Sequence, residues 1–460
     1  MAKENQGEIF DFEKTAYLSG VKAVVTFDAP TAQYSKPERE PENIDTPSGP
    51  IKYVPWGENN DTPNDLTKKV YASPILSEGM RFNIMLLYGD GILPVRREID
   101  ENGKVKFTPV FDDPKINEFF DNNDIPGYSL EQCTDISFFY NIFPEIILNQ
   151  ETPRKVVELN HLEAMFSRWA EMDPKTKRIE WHLYSAKFGI EEPKKEDIVV
   201  TKVLDAKSPL LDLKRRLGIE PYPDGTKKID DKTFRYVIPV SMPTPGRFYY
   251  QKPYWVSIIE SGWYEFAKQI PEFKKALLKN QMTIKYHVQL SENYWKILYA
   301  AEGITDQVKK NERRAKEFEN IQKFLTDTKN TGKSVISYIS YSPDGKEMAT
   351  MKITAIENKF TGGEYIADLE EVSNIQSYAM GVHPSLIGSA PGKNKNINGT
   401  EARELFIIKQ ALLKPIRDRL LLPFYIIKAI NKWDENIYFT IPNLELTTID
   451  KGTGSQKVIS

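Results

Sequence analysis

The stretch WYEFAKQIPEFKKALLKNQMTIKYHVQL, residues 263–290, decides the fold. Phe266, Ile270, Phe273, Leu277 and Leu278 recur at helical spacing, and Pro271 predicts a bend. From Met282 to Leu290 the pattern becomes strict apolar–polar alternation, the signature of a strand. Downstream lie a charged helix (Gln307 to Asp327) and two strands (Ser334 to Tyr341, Glu347 to Ile356) joined at Ser342-Pro343-Asp344-Gly345. A returning helix begins at Glu364, with Ile366, Leu369, Val372, Ile375, Tyr378 and Ala379 on one face, and stops at Gly381-Val382-His383-Pro384. Two helices enclosing an α+β insert read as a stalk with a small head, or as an ordinary helical hairpin within a compact domain. At about 1.5 Å per residue the first helix reaches roughly 27 Å.

Past the second helix, Gly388 to Gly399 is a polar, glycine-containing stretch with the composition of a mobile loop. Thr400 caps a long helix from Glu401 to about Trp433, where Pro415 predicts a kink. Residues 391–432 hold nine basic and three acidic side chains, so the positive charge is local. The whole chain carries 62 basic and 65 acidic residues among 460, a net charge of −3. No global field draws it to nucleic acid or anionic lipid.

Upstream, residues 1–50 are acidic, and 30–50 are proline-rich enough to predict a flexible N-terminal arm. Asp61-Thr62-Pro63-Asn64 and Ser73-Pro74 open two helices, the second closed by Gly89 and Gly91. A strand and turn (Ile92 to Phe111, with Glu101-Asn102-Gly103-Lys104 as hairpin) precede a helix at Pro114 to Asn122. Alternation at Phe138 to Leu148, Lys177 to Tyr184, Ile198 to Leu204 and Tyr236 to Val240 reads as strands of one irregular α+β region. A last strand spans Ile437 to Leu446. The fold class is therefore α+β.

Enzyme chemistry finds little support. Gly332-Lys333-Ser334 resembles the end of a phosphate-binding loop, but the required first glycine falls on Asp327, and a helix leads into a strand rather than the reverse. Gly388 to Lys393 is one residue too short for that motif. His161, His182, His287 and His383 share no metal-ligand spacing, and the single cysteine, Cys133, reads as a small buried residue. One cysteine allows no internal disulfide and fits assembly in a reducing cytoplasm. The polar, acidic N-terminus is no signal peptide, and no apolar run approaches the roughly 18 residues of a membrane span. No cofactor, metal or catalytic residue is expected.

Four stretches resemble the portal (head–tail connector) family of tailed bacteriophages. Tyr53-Val54-Pro55-Trp56-Gly57-Glu58-Asn59-Asn60-Asp61-Thr62-Pro63 is similar to an N-terminal signature in which a Trp-Gly-x-x-Asn turn precedes a capped helix. Leu87-Tyr88-Gly89-Asp90-Gly91-Ile92 is similar to the YGxGI element that follows it. Ala379 to Gly388 resembles the FGVPPxLLG element ending the second stem helix, with His383 where a proline is common. Gly399-Thr400 through Arg403 and Pro415-Ile416-Arg417 resemble the start and bend of the tunnel helix.

The resemblance implies a ring, usually of twelve copies, at one capsid vertex, which gives the channel for DNA packaging and ejection. Mapped onto this chain, 1–50 is the arm and 51–254 the wing. Residues 255–281 are the first stem helix, 282–356 the clip and 357–384 the second stem helix. Residues 385–433 are the tunnel loop and kinked helix, and 434–460 the C-terminal wing strand and tail. No large crown is expected.

DNA would meet Lys393, Asn394, Lys395, Asn396, Asn398 and Arg403, weak contacts that re-form as a duplex moves. By the resemblance, the terminase large subunit and the head-completion or neck adaptor would dock on clip residues Lys309, Lys310, Arg313 and Arg314; read from the residues alone, these cations among Glu312, Glu317 and Glu319 make an exposed, salt-bridge-laced helix. The ring would also touch the major capsid protein. Implied partners are further copies of the chain and double-stranded DNA, with no membrane, at the virion portal vertex and in host cytoplasm during assembly. Two other readings stand beside this one: a phage nucleic-acid-processing enzyme, and another neck or baseplate structural protein.

Overall fold

The computed structural model describes residues 9–12, 15–18, 23–26, 40–99, 103, 105–281, 286–326, 340–341, 347–348, 351–355, 366–387 and 399–444. The chain divides into two compact units, one formed by Met1–Tyr264 with Val372–Ser460, the other by Glu265–Glu371. It passes from the first to the second within one helix and returns within another.

In the first unit, β1 (Ile9–Phe12), β2 (Thr15–Leu18) and β3 (Ala23–Thr26) form an antiparallel meander. β4 (Glu42–Thr46) and β5 (Gly49–Tyr53) make a hairpin whose Ile44, Thr46 and Tyr53 are buried. Residues 42–50, placed by sequence in the flexible arm, are thus held by pairing and by a small apolar cluster with Leu183, Phe188 and Ile198.

α1 (Thr62–Ala72) and α2 (Pro74–Tyr88) each carry a proline in the first turn, Pro63 and Pro74, where the missing N–H costs nothing, and Ser73 Oγ accepts from Leu76 N to cap α2. β6 (Leu93–Ile99) and β7 (Val105–Pro109) pair as the sequence predicts. Of the turn read there, residues 100–102 and 104 lie outside the described residues.

α3 (Pro114–Asn122) matches its prediction, but α4 (Ile125–Phe139) was not legible. Its buried residues include Ile125, Tyr128, Gln132, Cys133, Asp135, Ile136, Phe138 and Phe139, leaving no clean polar face to mark a helical period. Tyr140, in a left-handed conformation, ends it, so the strand read from Phe138 begins instead at β8 (Asn141–Leu148).

β8 sits inside a sheet that includes β9 (Val156–Leu162), β10 (Ser167–Trp169), β11 (Trp181–Tyr184), β12 (Val199–Val203), β13 (Arg235–Val237) and β14 (Val240–Ser241). The order is β10-β11-β12-β13-β8-β14, with β9 also on β8, and only β12–β13 pair in parallel. α5 (Pro209–Arg216) links β12 to β13, and α6 (Ser257–Glu260) precedes α7 (Trp263–Gln281), the predicted first long helix.

The second unit contains most of α7, followed by β15 (Tyr286–Leu290), α8 (Glu292–Ala301), α9 (Gln307–Thr326), β16 (Ser340–Tyr341), β17 (Glu347–Met348) and β18 (Met351–Ala355). β15 pairs antiparallel with β18, and β16 with β17. α8, absent from the sequence reading, is capped by Ser291 Oγ on Tyr294 N and buries Trp295.

Returning to the first unit, α10 (Ile366–Ala379) is followed by α11 (Gly399–Leu420), α12 (Leu422–Asn431) and β19 (Ile437–Thr440). β19 pairs with β6, which joins the C-terminal strand to the N-terminal half of the chain. The single helix read from Glu401 to about Trp433 is divided: α11, with Pro415 inside it, ends at Leu420, and α12 follows Leu421 with Pro423 in its first turn. A proline there lacks only a donor that has no intrahelical partner anyway.

Candidate functional site

Three of the four signature stretches converge on α2. At the end of α10 a closing motif forms: Gly381 N donates to Tyr378 O and Val382 N to Ser377 O, with Gly381 at φ 62°. Both bonds satisfy final-turn carbonyls, and the positive φ favours glycine. Asn83 of α2 donates to Met380 O (3.0 Å), and Ser73 Oγ donates to Gln376 Oε1 (3.0 Å).

Lys409 of α11 donates to Gly381 O at 2.9 Å, bridging the two flanks of the 388–398 segment. Burial lowers the Lys409 pKa to about 8. Arg417, one turn before the end of α11, is buried and donates to Leu86 O (2.8 Å), Leu87 O (3.3 Å) and Ile441 O (3.3 Å). A cation on the last carbonyls of α2 also complements that helix's negative end. The second and fourth signatures therefore meet physically: the YGxGI turn leaves the helix whose carbonyls Arg417 holds.

The first signature builds another buried cation site. Asn60 closes the Trp-Gly-x-x-Asn turn by accepting from Trp56 N (2.9 Å). Its carbonyl accepts from the fully buried Arg168 (2.7 Å), whose guanidinium lies 5.0 Å over Phe188 and 5.8 Å over Trp56. Burial lowers the Arg168 pKa to about 10. Tyr250 stacks on Trp56 at 4.3 Å. Trp56, Arg168, Phe188 and Tyr250 are all buried, so this cluster is part of the core.

α11 has two apolar sides. Gln410, Leu413, Arg417 and Leu420 face the core. On the other side Ile407, Ile408 and Leu412 are 57%, 58% and 68% exposed, and Ala411 and Pro415 fall between them over an arc of about 140°. Such a stripe on a long helix is a surface built to be covered. The signal was in the sequence: apolar residues around more than half of the helix exceed what one core face needs.

Of the sequence-predicted DNA contacts, Lys393, Asn394, Lys395, Asn396 and Asn398 lie outside the described residues; Arg403 is half-buried in the first turns of α11. The four clip cations lie on α9. Arg313 is held by Glu302 (Nε–Oε2 2.8 Å) and Glu317 (Nη1–Oε2 2.7 Å), and these side-chain bonds raise its pKa. Arg314 lies 5.2 Å over Trp295 and donates to Tyr299 Oη (2.8 Å), and Lys310 sits 5.6 Å over the Tyr299 ring. Arg314 and Lys310 thus pack α9 on α8, Arg313 ties it to Glu302 just past α8, and of the four Lys309 is the exposed one. The salt-bridge-laced helix read from sequence accounts for Arg313 with Glu317, whereas the aromatic partners of Arg314 and Lys310 belong to α8, which the sequence reading did not contain.

Among the described residues no cluster of His, Cys, Asp and Glu has metal-site geometry, and no helix is long and apolar enough to cross a membrane.

No family model matches the sequence, and no curated protein matches it. Solved structures do match in fold. A chain of the virion of a native gene transfer agent particle aligns with a TM-score of 0.50 at 13% identity, over 89% of this chain and 87% of its own. A chain from the neck of the empty particle, computed with C6 symmetry, aligns at 0.50 and 13% identity over 85% and 86%. Another, from the neck of the native particle computed with C12 symmetry, aligns at 0.50 and 12% over 89% of both chains. With nearly nine-tenths of either chain covered, the α+β fold of this protein is the fold of those virion and neck chains.

Proposed function

We propose that this chain is a phage portal subunit: a non-enzymatic structural protein that forms a ring, of twelve copies, at one capsid vertex. The ring is the channel for DNA packaging and ejection, and it docks the terminase motor, the neck adaptor and the major capsid protein. One observation carries the reading: end-to-end likeness of fold to chains in virion and neck structures, one of them computed with C12 symmetry. The apolar stripe of Ile407, Ile408 and Leu412 supports it, since a second copy of the chain would cover that stripe in a ring.

In this reading Lys409 and Arg417 fix the base of the 388–398 loop, and the loop touches the duplex. Arg313, Arg314 and Lys310 shape the clip, which leaves Lys309 and the outer face of the helix pair for the motor and adaptor.

The test is the double variant Lys393→Ala with Lys395→Ala. Rings should assemble as in the parent chain while packaged DNA falls by at least about tenfold, because two phosphate contacts per subunit are lost. Quantifying DNA per particle decides it. Unchanged packaging in intact rings removes the loop from the channel.

A further inference from the structure

His161 is placed for a task unconnected with the channel. Its ring is nearly buried, with Nε2 3.1 Å from Asp135 Oδ2 and Nδ1 2.6 Å from Gln132 Nε2. Gln132 and Asp135 stand three apart on α4, so two residues of one helix face clamp a ring from β9. Asp135 Oδ2 also accepts from Ala164 N at 2.7 Å, which fixes the carboxylate.

The donors and acceptors constrain the ring. A carboxylate only accepts, so Nε2 carries hydrogen. An amide nitrogen only donates, so Nδ1 facing Gln132 Nε2 is bare and the imidazole neutral. A second proton on Nδ1 sets two donors against each other. The Gln132 amide must then turn to present Oε1, the buried atom that has no partner in the present arrangement.

We propose that Asp135, His161 and Gln132 form a proton-operated latch between α4 and β9, in which protonation of His161 and a half-turn of the Gln132 amide occur together. With the proton, both ring nitrogens donate, one of them to a carboxylate. Without it, only the Asp135 bond retains its charge assistance.

The surroundings favour the charged form. Burial opposes the charge, but the Asp135 hydrogen bond and field, then the Glu131 and Glu163 fields, outweigh it and raise the pKa above the ordinary 6.5. α4 contributes Asp135 and Glu131. Glu163 follows β9 and is itself bonded by Tyr184 of β11. Opposite His161 on β8 stands Pro144, and the neighbouring Glu145 is taken by Arg235 at 2.8 Å. The other end of β9 is held by uncharged amides, Asn123 on Val157 O and Leu159 N, and Asn431 on Val156.

Among the described residues β9 pairs only with β8, so its other edge is tied by such side-chain bonds. Because the folded pKa lies above the unfolded one, the latch is at full strength below pH 6.5. It weakens as pH rises through the folded value.

The test measures urea midpoints of the full-length chain from pH 6 to 9, with hydrogen exchange of the Leu159–Leu162 amides. The parent chain should lose midpoint and β9 protection with rising pH. His161→Asn should lack that component, and Gln132→Met should show at least half of it removed. Parallel pH profiles for the parent and His161→Asn overturn the latch. Should His161→Asn fail to fold, a Gln132→Met profile identical to the parent's overturns it equally.

Discussion

Ile408→Glu combined with Leu412→Glu should leave a folded chain that no longer forms rings. Both side chains are more than half exposed, so the folded subunit loses little. Buried against a second copy, each isoleucine or leucine contributes about 1.5–3 kcal/mol, and a carboxylate in its place adds an unpaired buried charge. Two such changes cost each contact upwards of about 5 kcal/mol, more than a thousandfold in affinity. Sedimentation should show a monomer with unchanged circular dichroism. Rings persisting at the parent's concentration dependence would place the stripe outside the subunit contact.

Arg417→Met should be the most damaging single change in the first unit. The guanidinium satisfies carbonyls of Leu86, Leu87 and Ile441, and methionine fills similar volume without donating. Each orphaned buried carbonyl costs about 1–3 kcal/mol, so a loss of roughly 3–5 kcal/mol is expected. Arg417→Lys should recover part of it, since one ammonium reaches fewer of the four acceptors, these three carbonyls and Asn443 Oδ1. Urea denaturation gives the difference directly. A loss below about 1 kcal/mol would mean the carbonyls find other partners and that α2, α11 and the C-terminal strand are not tied through this residue.

Much of the architecture was legible because the signals were local. The helix at 263–281 and the strand at 286–290 (residues 282–285 lie outside the described residues), the glycine-closed end of α10 and the proline-bearing starts of α1 and α2 are short-range consequences of spacing, φ and missing donors. The four signature stretches were recognisable for a related reason: each holds a backbone turn or buried cation that admits few residues, as with Asn60 beneath Arg168 and Gly381 beneath Lys409.

What failed to show was non-local. α4 has no clear polar face, so its period is hidden. The sheet order β10-β11-β12-β13-β8-β14 is set by pairings far apart in sequence. Pro415 offers the same local signal as Pro423, yet Pro415 lies inside α11 while Pro423 opens α12 after the division at Leu421. The aromatic seats of Arg314 and Lys310 were hidden because Trp295 and Tyr299 lie on α8, a helix not recognised beforehand. The latch at His161 joins residues 29 apart on two elements and leaves no spacing to find.

The central claim is that copies of this chain associate around an open axis. Symmetry-averaged electron microscopy of the purified full-length protein measures that directly. The account predicts closed rings with a central hole wide enough for a duplex and α11 of each subunit against its neighbour. A uniform population of monomers at high concentration, or closed assemblies with no central opening, would contradict it.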